Sequence, residues 1–210
     1  MYKMTILGPQ ASGKGTQAEF LAEKLNVPNI SVGQLLRDEV ENKGDLSKMI
    51  KEQMDSGGLV SNAIVDKLVK KRLTQPDAQN GFIFDGFPRI RIQARVLTTI
   101  TNLTHVIVVE ISDAEALKRL SGRRTCAKCG KVYNLNSNPP QQENICDDDG
   151  EKLITRTDDT PEAIRERLKI YHTETEEVIE FYDKQGIVIK INGEQSIEDV
   201  KKEIFAKLGL

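Results

Sequence analysis

The chain has 210 residues, 38% of them hydrophobic and 30% charged, which suits one or two domains with a sizeable core and excludes a disordered chain. A formal net charge of -2 excludes a protein held to nucleic acid by its overall charge. No apolar run approaches the roughly 18 residues of a membrane span. The N-terminus, MYKMTILG, starts as a strand and lacks the pattern of a signal peptide, so a cytoplasmic location is expected.

In chain order, KMTIL reads as a first buried strand, followed by a glycine-rich turn and a helix over Lys14–Leu25. NIS is a short second strand. Helical patterns follow over 33–43, 46–55 and 62–73. GFIFDGF is a third strand ending near Asp85, with a helix over 90–101 behind it. THVIVVEI is β-branched and apolar on both faces, as a central parallel strand should be, and a helix over 114–120 follows. GIVIKI is the fifth strand. Two late helices have defined starts. Thr160 can cap with Pro161 in the first turn, ahead of an apolar face of Ile164, Leu168, Tyr171, Val178 and Tyr182. Ser196 with Asp199 resembles a capping box ahead of Val200, Ile204 and Leu208. Strands alternating with helices predict an α/β fold, a parallel five-stranded sheet flanked by helices.

Two stretches interrupt that alternation. Residues 122–159 are polar, with NSNPP and DDDGEK, and too long for a plain loop in a compact domain. Residues 31–60 are helical without a strand. The expected organisation is a core of 1–30, 61–121 and 160–210 carrying inserts at 31–60 and 122–159.

GPQASGKGT nearly spells the phosphate loop G-x-x-x-x-G-K-[ST]. A glycine-rich turn between strand and helix points successive N–H groups at an anion, and the helix N-terminus adds partial positive charge. Gly8 and Gly13 suit positive φ or close backbone approach, and Lys14 can reach the terminal phosphates. The hydroxyl that usually ligates magnesium is displaced: Gly15 follows the lysine and Thr16 comes one residue late. Either Thr16 contacts a phosphate, or Mg²⁺ is held through nucleotide oxygens and water. Asp85 is then the natural carboxylate to orient those waters.

The three cysteines fall in one segment, as CAKC, sixteen residues, then CDDD. C-x2-C-x16-C-x2-D is a structural-zinc pattern in which Cys126, Cys129 and Cys146 supply thiolates and Asp149 the fourth ligand. Asp147 and Asp148 break the spacing, and neither histidine, His105 or His172, is near. A segment of about forty residues with few apolar side chains cannot build its own core, and metal ligation can supply the folding free energy instead.

GxxxxGKGT, DGFPR with Gln93, GRR, NPP, TRTDD, and RERL followed by YH together resemble the adenylate kinase family, in its long form with a zinc-bearing lid, over essentially the whole chain. The resemblance implies reversible phosphoryl transfer from Mg·ATP to AMP, giving two ADP, by a cytoplasmic monomer that binds no nucleic acid or membrane. By position, Gln10, Ala11, Ser12, Gly13, Lys14, Gly15 and Thr16 cradle ATP phosphates. Arg119 and Arg123 hold the triphosphate. Val132, Tyr133 and the chain near Gln195 contact the ATP base or ribose. AMP falls to Val32, Arg37, Gly58, Leu59, Val60, Gly86, Phe87, Pro88, Arg89, Gln93, Arg156 and Arg167, with the Gln93 amide and the backbone at Gly58–Val60 reading adenine. Lys14, Arg89, Arg123, Arg156 and Arg167, with Asp85, carry catalysis, and Asp158 and Asp159 help close the lid.

Two departures stand out. The family's Pro–Gly pair in the loop is Gln10–Ala11 here, and its STGD is SVGQ, with Val32 and Gln34. A kinase for another monophosphate (UMP or CMP) and a nucleotide-binding regulator with a zinc-ribbon module are the rival readings.

Overall fold

The computed structural model describes residues 1–42 and 46–210. Five parallel strands form the central sheet: β1 (Lys3–Leu7), β2 (Asn29–Ser31), β3 (Phe82–Asp85), β4 (His105–Glu110) and, late in the chain, Val188–Asn192. They lie in the order Asn29–Ser31, β3, β1, β4, Val188–Asn192. Alternation along each strand sends side chains to two separate cores. Met4, Ile6, Ile83, Ile107 and Val109 pack with Ala18 and Leu21 of α1 (Lys14–Leu25) and with Val200 and Ile204 of the last helix, Ile197–Leu208. Leu7, Phe82, Phe84, Val106 and Val108 face the opposite side. That side is covered by helices α4 (Asn62–Leu73) and α5 (Arg91–Ile100) and by the Glu176–Asp183 helix. A sheet buried on both faces explains why THVIVVEI reads as one continuous apolar run.

The predicted elements are present with ends shifted by a residue or two. The helix expected over 33–43 is α2 (Val32–Glu41), and its expected end at Lys43 lies outside the described residues. α3 is Ser47–Asp55. Val32, Leu36, Ile50 and Val60 of the 31–60 segment join the core under α4 and α5. After α6 (Asp113–Ser121) the 122–159 segment folds as a small antiparallel sheet of β5 (Arg123–Cys126), β6 (Val132–Asn134) and β7 (Leu153–Ile154), which its polar sequence did not reveal. Its interior is only Cys126, Tyr133, Cys146 and Leu153. So small a core needs another source of stability.

One long helix hides an irregularity. α7 (Pro161–Ile170) passes through a π turn, Tyr171–Thr175, into α8 (Glu176–Asp183). Thr160 caps α7 as expected, accepting from the Ala163 N–H at 3.2 Å. The π turn carries Thr175 inward, where it is buried. The fifth strand is hereafter β8 and the last helix α9. At α9 the Ser196 hydroxyl accepts from the Asp199 N–H at 3.2 Å, but it also donates to the Asp199 carboxylate at 2.6 Å. The cap is therefore one-sided rather than a reciprocal box.

Candidate active site

The C-terminal ends of β1, β2 and β3 open onto a cavity of about 860 Å³ roofed by the 122–159 segment. Its floor is the loop between β1 and α1. Gly13, the residue before α1, has φ 89°, and no side chain caps the helix. The first N–H groups of α1 are thus available to an anion, as the loop pattern requires. Ala11 stands where the resemblance places glycine, and it keeps a left-handed φ of 58°. An alanine in this conformation costs about 1 kcal/mol that glycine would not.

Gly15 lies beside Asp85: a Cβ there would sit 3.4 Å from Oδ2, an ordinary contact, so the carboxylate at the end of β3 faces the position where the usual hydroxyl would stand. Asp85 Oδ1 is buried with no hydrogen-bond partner among the described residues. Such a group is expected to have a partner supplied by a ligand or water. Lys14 Nζ donates to the Pro9 carbonyl at 3.1 Å. Burial lowers its pKa to about 8 against the pull of Asp85, and Arg89, Arg123 and Arg167 push it the same way. A phosphate would reverse that shift.

Lys14 and six arginines, at 37, 89, 119, 123, 156 and 167, line the cavity. Two aspartates hold three of them. Arg123 is bidentate on Asp159. Arg156 is bidentate on Asp158 at 2.8 and 2.6 Å. Arg167, buried, reaches the Asp158 carboxylate and carbonyl and Asp159. Burial works to raise the Asp158 carboxyl, but the charge and hydrogen bonds of Arg156, with Arg167 and Arg123, outweigh it and hold it at about 2. Burial lowers the pKa of both Arg89 and Arg123, and neighbouring arginines add to the effect. Arg119 is paired with Glu115 at 2.7 Å, so these seven cations share the cavity with only a few carboxylates, a balance that fits a polyanionic ligand.

Gln10, Ser12, Thr16, Arg119, Val132, Tyr133 and Gln195 all line the large cavity. The Tyr133 hydroxyl is committed inside the 122–159 segment, accepting from the Asp147 N–H at 2.9 Å and lying 3.5 Å from Cys146 Sγ. A second, smaller cavity of about 80 Å³ is lined by Val32, Arg37, Gly58, Leu59, Val60, Gly86, Phe87, Arg89, Gln93, Arg156 and Arg167. Pro88 lines neither cavity. The buried Gln93 accepts from the Arg89 N–H at 2.9 Å and donates to Asn62 Oδ1 at 3.1 Å. One donor and one acceptor position on its amide stay open.

Sequence reasoning missed the residues that hold this scaffold. The Thr5 hydroxyl, fully buried in β1, donates to the Phe87 carbonyl at 2.6 Å and ties the loop after β3 to the sheet. Thr175 in the π turn donates to the Arg89 carbonyl at 2.9 Å. With Gln93 on its N–H and the Gly86 carbonyl accepting from its Nε at 2.8 Å, Arg89 is fixed at three points. No sequence signal marks Thr175, because Leu168, Tyr171, Thr175 and Val178 keep the three-four spacing of an ordinary helix face.

Cys126, Cys129, Cys146 and Asp149 converge, with one ligand atom of each within 4.8 Å of the others. Cys126 Sγ lies 3.4 Å from both Asp149 oxygens, and Cys129 Sγ lies 3.6 Å from Cys146 Sγ. The N–H groups of Lys128 and Cys129 point at Cys126 Sγ, each at 3.4 Å, as a thiolate favours. Three soft sulfurs and one carboxylate in a closed set fit zinc, and no position is left open for catalysis.

The β2-β3-β1-β4-β8 sheet with an anion-binding loop after its central strand defines a P-loop phosphotransferase fold. The family model for adenylate kinase matches residues 6–187. Curated relatives include the adenylate kinases of Caldicellulosiruptor saccharolyticus (41% identical, 99% of each chain), Methanocella arvoryzae (42%, 98% of each) and Archaeoglobus fulgidus (44%, 98% of this chain and 97% of the relative). The chain belongs to the adenylate kinase family. Among the described residues no helix is long and apolar enough to cross a membrane.

Proposed function

We propose that the protein transfers the γ-phosphoryl group of ATP to AMP, giving two ADP, reversibly and with magnesium accompanying ATP. The observation that carries this reading is the convergence of Lys14 and six arginines on one cavity, continuous with a smaller one beside Arg37, Arg89 and Gln93. Two nucleotides with their phosphates facing each other would meet these cations between them.

The acceptor is a phosphate oxygen, largely ionised at neutral pH because its second pKa is about 6. No general base is needed. Catalysis then comes from alignment and from positive charge spread around the phosphoryl group in transit. Lys14 and the α1 N-terminus take the triphosphate from below, and Arg119 and Arg123 from the roof. Arg37 and Arg89 take the acceptor phosphate, and Arg156 and Arg167 span the two. Magnesium bound with ATP neutralises phosphate charge, and the unpartnered Asp85 Oδ1 is suited to accept from its waters. Zinc on Cys126, Cys129, Cys146 and Asp149 would stiffen the 122–159 segment.

Water competes for the phosphoryl group, so the cavity must close. We assign that task to the 122–159 and 31–60 inserts on the 1–30, 61–121 and 160–210 core; adenylate kinase lids are a known instance of such gating. A cytoplasmic monomer fits this chemistry. The test is ³¹P NMR of Mg·ATP with AMP. Appearance of two ADP per ATP consumed supports the reading, and release of inorganic phosphate alone contradicts it.

A further inference from the structure

Gln34 replaces the aspartate of the family pattern, and its surroundings give it a task. It lies one turn before Arg37 on the same face of α2. Its Oε1 accepts from Arg37 Nε at 3.0 Å and from Nη2 at 2.7 Å, and its Nε2 donates to Asp38 Oδ1 at 2.8 Å. Arginine only donates and aspartate only accepts, so the amide has one orientation. The side edge of the guanidinium is therefore occupied by a neutral group. Nη1 makes no hydrogen bond among the described residues and lies beside Gly33, 3.5 Å from where a Cβ would stand there. Arg37 lines both cavities. Burial lowers its pKa to about 10, with Arg156 and Arg123 adding and Asp158 opposing, so it stays charged at neutral pH. The 122–159 segment lies against the same amide: a Cβ on Gly130 would come within 3.1 Å of Gln34 Oε1.

A carboxylate at residue 34 would aim Arg37 just as well, but it would also set a negative charge beside an incoming dianion. We propose that Gln34 is a positioning residue, a neutral clamp that aims the free edge of Arg37 at the dianionic phosphate of the acceptor nucleotide while leaving its charge undiminished. This rests on the smaller cavity being the acceptor site.

Two substitutions separate aim from charge. Gln34→Glu keeps the acceptor oxygen and adds charge. Gln34→Met keeps the length and loses the clamp. Steady-state kinetics at pH 8 with each nucleotide varied, and calorimetric titration with AMP alone, read the outcome. The expected result is a KM for AMP raised about tenfold or more in Gln34→Glu, since a negative charge set beside the dianion opposes its binding at short range. Gln34→Met should raise it about threefold, and the KM for ATP should stay within about twofold in both. The KM for AMP of Gln34→Glu should also respond less to added salt, because less net charge faces the phosphate. An AMP affinity equal to the wild type in both variants overturns the proposal, as does an equal change in both KM values. A wild-type protein that neither binds AMP in the titration nor phosphorylates it would bring down the acceptor-site reading itself.

Discussion

Asp158 is the residue whose removal tests the electrostatics of the cavity most sharply. It takes two hydrogen bonds from Arg156 and one from Arg167, and only 8% of its surface is exposed. Asp158→Asn keeps the shape and removes the charge, leaving Arg156 without its carboxylate partner and Arg167 with Asp159 alone. The carboxyl is depressed from 3.8 to about 2. At about 1.4 kcal/mol per pH unit this is worth about 2–3 kcal/mol. Breaking a buried ion pair costs about 3–5 kcal/mol, so the two scales overlap near 3. For a chain of this size the expected fall in Tm is about 5–10 °C. Because the folded pKa is lowered, the contribution is fully present above the unfolded value and lost as pH falls through about 2. The gap between wild type and variant should hold from pH 7 to about 5, then narrow below about 4. ADP at saturating concentration should raise the Tm of the variant more than that of the wild type, since phosphates replace the missing counter-charge. Thermal melts at several pH values, with and without ADP, read all three effects. A variant melting within about 1 °C of wild type at pH 7, or a gap that ignores pH, would refute the reasoning.

Other outcomes follow from the same geometry. Lys14→Ala and Arg89→Ala should each lose at least about 100-fold in turnover, as when one preorganised electrostatic partner is removed; near-normal turnover in either would remove it from the site. Thr175→Val should lower kcat about three- to tenfold with little change in either KM, because it unties the Arg89 carbonyl, and Thr175→Ser should restore it. Removing zinc with a chelator should lower the Tm or split the melt before it alters turnover in protein still folded, and an unchanged melt would end the structural role of the metal. His172 lies between Asp113 at 3.0 Å and Glu176 at 2.7 Å, whose hydrogen bonds raise its pKa above 6.5. Its stabilisation is present below the unfolded value and lost as pH rises through the folded one. His172→Gln should therefore melt below wild type at about pH 6 and alongside it at about pH 9.

The sheet was legible because its strands obey strong local rules. THVIVVEI reads as a strand buried on both faces, and GPQASGKGT as a turn between a strand and a helix, and the structure has both. The cluster of Cys126, Cys129, Cys146 and Asp149 was legible because ligand spacing is a local property. The strands of the 122–159 segment were not, since a fold organised around a metal does not need apolar periodicity. The π turn stayed hidden because Leu168, Tyr171, Thr175 and Val178 keep ordinary helical spacing, so Thr175 read as one more helical residue. The pairing of Arg123 with Asp159, and of Arg156 and Arg167 with Asp158, joins chain segments through side chains whose reach no periodicity encodes. Gln34 was visible as a departure, but its grip on Arg37 required coordinates.

The central claim is phosphoryl transfer from ATP to AMP. The most direct test is product formation from Mg·ATP with AMP, GMP, CMP or UMP as acceptor, using zinc-loaded protein. Rapid ADP formation with AMP, and slow or no transfer to the other three, is the result the account predicts. Preference for another monophosphate would contradict the acceptor assignment while keeping the chemistry, and no transfer to any of the four would contradict the account as a whole.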